Sequence, residues 1–182
     1  MTIALLLIDI QNDYFPGGAM EVVGAPQAAI QASKLLATFR LKSLPVIHVQ
    51  HLAARPGATF FLPNTAGAEI YVAVQPQPAE PVFQKHFPNS FRETPLLENL
   101  RRNNISRLAI AGMMTHMCID TTTRAAADWG FSCLLAHDAC ATRSLSFNGM
   151  QVAAESVQTA YLAALNGLFA KVVSTRELLA EL

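Results

Sequence analysis

Leu108-Ala109-Ile110-Ala111-Gly112-Met113-Met114-Thr115-His116-Met117-Cys118 is an apolar, strand-like run that breaks at Gly112 and enters a helix-like stretch. Short apolar runs that alternate with longer helix-period segments are the mark of parallel strands joined by crossover helices. Read outward, the chain repeats that alternation. Strands are expected at Ile3–Asp9, Pro45–His51, Val82–Lys85, Arg107–Ala111 and Ser132–His137, with a short edge strand at Lys171–Ser174. Pro26 suits a first helical turn and opens a helix to about Lys42, while Thr94 and Pro95 open another that ends near Asn103. A helix from about His116 stops at Gly130; a loop around Asp138, a helix over Gly149–Leu165 and a terminal helix over Thr175–Leu182 complete the reading. The polar loop Gln11–Gly18 and the long, proline-rich connection Ala53–Pro81 lie between elements, where site-covering loops are usually found.

Composition narrows the class. The 182 residues suffice for one sizeable α/β domain, so residues 1–182 read as a single domain. Hydrophobic residues make up 52% and charged residues 14%, which excludes a disordered chain and predicts an apolar face covered in a homo-oligomer. Thirteen basic residues balance thirteen acidic ones, so no net field draws nucleic acid or an anionic membrane. The three cysteines, Cys118, Cys133 and Cys140, form neither a disulfide framework nor a CxxC motif. Ile3–Ile8 is too short to span a bilayer and lacks a basic leader, so it reads as a buried first strand. A soluble, cytoplasmic protein acting on a small molecule is expected.

Ligands of parallel α/β sheets bind beyond the carboxyl ends of the strands. Asp9, Lys85 and Cys118 all fall at that edge. A cysteine at a helix start faces unpaired N–H groups that favour the thiolate, a carboxylate can take the thiol proton, and a lysine can steady both charges. The same acid can return its proton to a departing amine, and backbone N–H groups of the Gly112–Cys118 turn can hold an oxyanion. Together these suggest acyl transfer to water through a thioester. Gln11, Tyr14, Phe15, Phe91, Thr115 and His116 are candidates for the substrate pocket, with Phe60, Phe61 and Leu62 from the long connection. Cys133 and Cys140 read as core residues, Asp138 as an acceptor for loop amides, and Asp120–Thr123 with Arg124 as supports of the nucleophile helix.

The segments Leu7-Ile-Asp9-Ile-Gln11-Asn-Asp13-Tyr-Phe-Pro-Gly-Gly18, Lys85 with Asn89-Ser-Phe91 and Thr94, Gly112-Met-Met-Thr-His-Met-Cys118, Asp120-Thr-Thr-Thr-Arg124 and Asp138-Ala-Cys-Ala-Thr142 occur in one order. That ordered set resembles the isochorismatase-like cysteine hydrolases, which include nicotinamidases, over nearly the whole chain. The resemblance implies a doubly wound, mostly parallel sheet flanked by helices on both faces, and frequent oligomers. It also implies an Asp9, Lys85, Cys118 triad, a cis peptide at Met113–Met114, and an oxyanion hole from the N–H groups of Met114 and Cys118.

The chain departs from the metal-binding nicotinamidases, which carry an Asp-x-His pair after the second strand. Here that region reads His48-Val-Gln50-His51-Leu-Ala-Ala-Arg55. Two histidines three apart on a strand point to opposite faces, a poor ligand pair. The expectation is therefore no metal and no cofactor. With the cysteine in place, hydrolysis of a small amide, ureide or imide is favoured over nicotinamide hydrolysis or ether cleavage. A thiol redox protein or a non-catalytic binding protein is the alternative from another class.

Overall fold

The computed structural model describes residues 2–182. In chain order its strands are β1 (Thr2–Ile8), β2 (Val46–His51), β3 (Val82–Lys85), β4 (Ile105–Met113), β5 (Ser132–Ala141), β6 (Leu145–Phe147), β7 (Met150–Val152) and β8 (Lys171–Val173). The helices are α1 (Ala25–Leu41), α2 (Leu96–Arg102), α3 (Asp120–Asp128), α4 (Ala154–Leu165) and α5 (Thr175–Ala180). Six strands form one sheet in the order β3-β2-β1-β4-β5-β8, with every neighbouring pair parallel. The order reverses between β1 and β4, which opens the crevice at their carboxyl ends that such sheets use for ligands.

Alternation along β1 explains why the sheet is covered on both sides. Leu5 and Leu7 pack with Ala28, Ala32, Leu35 and Phe39 of α1 and Leu178 of α5. Ala4, Leu6 and Ile8 pack with Leu96 and Leu100 of α2, Ala126 of α3 and Leu165 of α4. A strand buried on both faces has to be apolar throughout, which is how β1 reads. At the amino end of the sheet, Glu80 accepts from Arg40 at 2.7 Å, from His48 Nε2 at 3.0 Å and from the Gln77 N–H at 2.8 Å. Burial acts against that carboxylate, but the hydrogen bonds from Arg40, Gln77 and His48 outweigh it and hold its pKa down at about 2. No helix among the described residues is long and apolar enough to cross a membrane.

Three expectations need correction. Residues 149–152 are not helical: Asn148 and Gly149 have φ of 49° and 77° and close the antiparallel β6–β7 hairpin, in which Phe147 faces Met150. Positive φ at both central residues is the requirement of a type I′ turn, for which Asn-Gly is the favoured pair. The loop expected around Asp138 is strand: β5 runs on to Ala141 through a register shift against β4. Asp138 accepts instead from the N–H and hydroxyl of Thr175 at 2.7 and 2.8 Å, tying α5 to the sheet. The stretch that carries Cys118 starts as a π-helical turn, Thr115–Ile119, before α3.

Gly112 sets how close β4 comes to β1. Its φ is +140°, and a Cβ there would lie 1.9 Å from the Ile8 carbonyl oxygen. Gly112→Ala should therefore destabilise the protein by about 2 kcal/mol or more, since overpacking and an unfavourable φ add. The check is the urea midpoint, with an alanine substitution at exposed Gly17, where nothing lies within 4 Å of the added Cβ, as the comparison for the cost of positive φ alone.

Candidate active site

Four neighbouring strands deliver four side chains to the crevice. Lys85 ends β3, His51 ends β2 and is its register partner, Asp9 follows β1, and Cys118 lies in the turn after β4. Asp9 has φ of 53°, in the small left-handed region that Asp and Asn tolerate best, so the chain turns as the strand ends. Lys85 Nζ donates to Asp9 Oδ2 at 2.6 Å, to Cys118 Sγ at 3.3 Å and to His51 Nδ1 at 3.0 Å. The Asp9 and Lys85 side chains are fully buried. The remaining carboxylate oxygen, Asp9 Oδ1, is buried with no hydrogen-bond partner among the described residues.

Burial raises the Cys118 thiol well above its ordinary pKa; Asp9 raises it further, and the Lys85 ammonium offsets only part of this. The thiolate expected from the helix start is therefore corrected: the resting group is a thiol. Burial works against the Lys85 charge, but attraction to Asp9 and to Cys118 and the hydrogen bonds to both leave its pKa raised. Burial, then Lys85, lowers the His51 pKa to about 4, so this imidazole is neutral near pH 7.

Cys118 opens onto a cavity of about 320 Å³ walled by Tyr14, His51, Phe61, Phe87 and Met114. A larger hollow of about 640 Å³ lies beside Arg40, Glu80 and Asn103 at the amino end of β2, and no cysteine lines it. The phenol of Tyr14 stays neutral, since burial, then Cys118 and Asp9, raise its pKa well above the ordinary value. Phe61 is held in place by Asp13, whose Oδ2 accepts its N–H at 2.6 Å.

The structure brings Asp9, Lys85, Cys118, Met114, Tyr14, Phe60 and Phe61 together and places Gln11, Phe15, Leu62, Phe91, Thr115 and His116 outside the cavity wall. Gln11 is turned into the backbone: its amide donates to the carbonyls of His51 and Ala68 and accepts the His51 N–H at 2.8 Å. Phe15 stacks on Tyr71 at 3.5 Å in the core, and Phe91 packs on Phe131 at 6.2 Å. The Thr115 hydroxyl donates to the Ala141 carbonyl, and His116 pairs with Thr142 and meets the Tyr161 ring edge-on. The Met113–Met114 bond is cis. His51 was not among the candidates for the pocket. The signal for it was positional: in a 3-2-1-4 strand order, the last residue of the second strand lies between those of the first and third.

Asp9, His51 and Cys118 also offer three ligand atoms within 4.8 Å of one another, a cluster that could hold a metal ion. The donor chemistry fits poorly, because Lys85 Nζ already bonds to all three side chains and a cation there would have to displace an ammonium.

This geometry has relatives. The isochorismatase domain model matches residues 3–177. The chain belongs to the isochorismatase family. It is 48% identical to the isochorismatase family protein YddQ of Bacillus subtilis, over 98% of this chain and 99% of that one. A solved structure from Oleispira antarctica assigned to the isochorismatase hydrolases superposes with a TM-score of 0.95 at 50% identity, covering 98% of this chain and 96% of that one. A streptothricin hydrolase of Streptomyces noursei is 36% identical over 76% of this chain and 49% of its own length. The protein is a hydrolase of this family.

All three thiols are buried, and burial raises those of Cys133 and Cys140 to about 12. Unfolded thiols ionise near pKa ~8.5, so the unfolded state loses protons first and stability should fall from about pH 9 toward 12. Urea midpoints at pH 8 and pH 10.5 check this. A Cys133→Ala/Cys140→Ala variant should lose less stability between the two than the parent does.

Proposed function

We propose that this hydrolase cleaves the C–N bond of a small amide, ureide or imide through a thioester on Cys118. The observation that carries the reading is the division of labour on one carboxylate. Oδ2 of Asp9 is held by Lys85, Oδ1 is buried and has no partner among the described residues, and a carboxylate oxygen of Asp9 lies within 4.8 Å of the Cys118 sulfur. An acceptor left open next to a thiol of raised pKa is what a general base needs. The proton moves only when attack makes the sulfur a better donor.

In the first half-reaction Sγ bonds to the substrate carbonyl carbon as its proton passes to Asp9 Oδ1. The N–H groups of Met114 and Cys118 stabilise the oxyanion. Collapse breaks the C–N bond, and Asp9 returns the proton to the departing nitrogen. Water then gives a proton to Asp9 and attacks the thioester; the C–S bond breaks and the thiolate recovers the proton. Lys85 stays charged throughout and balances whichever of Asp9 and Cys118 is anionic. The apolar walls of Phe61, Phe87 and Met114 keep these charges in a low-dielectric site, where such compensation is strongest.

Ammonia release from a panel of small amides, ureides and nicotinamide tests the reading. Cys118→Ala and Asp9→Asn should each lower turnover by roughly 10³-fold or more, and release should survive EDTA. Near-normal turnover in either variant would remove that residue from the mechanism. Release abolished by EDTA would reassign Asp9, His51 and Cys118 to metal binding and revive the nicotinamidase reading.

A further inference from the structure

An ammonium has three protons and no acceptor. Lys85 therefore can only donate across its 3.0 Å contact with His51 Nδ1, and that nitrogen has to present a lone pair. In a neutral imidazole the other nitrogen then carries the proton. Nε2 makes no hydrogen bond within the protein among the described residues, yet the ring lies in the cavity wall. The backbone beneath it is clamped in both directions by the amide of Gln11, which fixes where the ring stands.

We propose that His51 is a substrate-recognition residue: Lys85 holds it as the Nε2–H tautomer, and this N–H binds an oxygen of a second carbonyl or carboxylate on the acyl portion of the substrate. The assignment rests on the amide-hydrolase reading and narrows it to bifunctional substrates, such as half-amides, ureides and imides. A ring nitrogen of His51 lies within 4.8 Å of both Cys118 and Asp9, so the ring stands next to the carbonyl under attack. The other polar groups of the cavity fit the same class. His86 Nδ1 donates to the Leu52 carbonyl at 2.8 Å, which commits that N–H to the backbone and not to the substrate. Arg55 is exposed in the cavity wall and makes no ion pair among the described residues, so its charge is available to an anionic end of the substrate.

Two measurements decide this, and neither needs turnover. In uniformly ¹⁵N-labelled wild-type protein, long-range ¹H–¹⁵N correlation of the imidazoles should show His51 with Nε2 protonated and Nδ1 bare. An Nδ1–H or doubly protonated ring would overturn the proposal. In Cys118→Ala protein, succinamate should bind about tenfold tighter than butyramide and shift the His51 ring signals. Made in an Arg55→Gln background so that this cation does not contribute, His51→Asn, which keeps a short acceptor for Lys85 but not the reach of Nε2, should erase that preference. Equal binding of the two amides, or a preference that survives His51→Asn, would refute it. The methyl ester of succinamate separates the two sources of the oxygen: binding like succinamate identifies a neutral carbonyl, and binding like butyramide identifies the carboxylate. If no amide in the panel is hydrolysed by the wild type, the proposed reaction fails while the tautomer and binding results still judge His51 on their own.

Discussion

The buried ammonium of Lys85 is the constraint around which the site is arranged. A charge with no exposed surface is tolerated only when its Coulombic and hydrogen-bonding partners replace water, and here each proton has one: Asp9, Cys118 and His51. The partners come from different strands, so the charge also ties the carboxyl ends of β3, β2 and β1 to the turn after β4. Removing the ammonium would leave Asp9 as an uncompensated buried carboxyl group. Arginine is a poor substitute because its flat fork cannot direct three protons to three surrounding atoms as a compact ammonium does.

The sheet supplies the chemistry and the connections supply the shape. Parallel strands fix the spacing of Lys85, His51 and Asp9, and Gly112 allows β4 close enough to bring Cys118 beside them. The cavity walls come largely from the chain between β2 and β4, including Phe60, Phe61 and Phe87. Asp13, buried in the loop after β1, reaches across to the N–H of Phe61, and Gly67 has no room for a Cβ because Asp13 fills it. Walls built on loops can vary in sequence without moving the four strand ends. This fits a family whose members carry different substrate names around one fold.

Most of the architecture was legible because burial on both faces leaves a plain mark: β1 and β4 are nearly unbroken apolar runs, and Val82–Lys85 ends on the residue it delivers. The misreading at Gly149 arose because a three-residue strand is too short to show a period, although Asn148-Gly149 is itself a hairpin signal. Phe15 and Phe91 were misplaced for a different reason: sequence proximity to a catalytic residue says nothing about which way a ring turns after a break in the strand. The histidine pair was read correctly as pointing to opposite faces, with His48 going to Glu80. What a linear reading could not supply was the neighbour relation that puts His51 between Asp9 and Lys85.

The state of Cys118 bears on what class of chemistry the fold favours. A charge near a helix start gains about 1 kcal/mol, whereas withdrawing a thiolate from water costs several, so burial prevails and the resting sulfur stays protonated. A redox thiol needs the opposite: a standing thiolate, open to oxidant and near a resolving partner. Cys133 and Cys140 are themselves buried thiols whose pKa values are pushed up to about 12, ill suited to resolve anything. A hydrolase loses nothing by keeping its nucleophile neutral until substrate arrives, provided a base stands ready within the same desolvated space. In the mechanism proposed above, the open oxygen of Asp9 is that base. Its twin, held by Lys85, keeps the carboxylate from turning away.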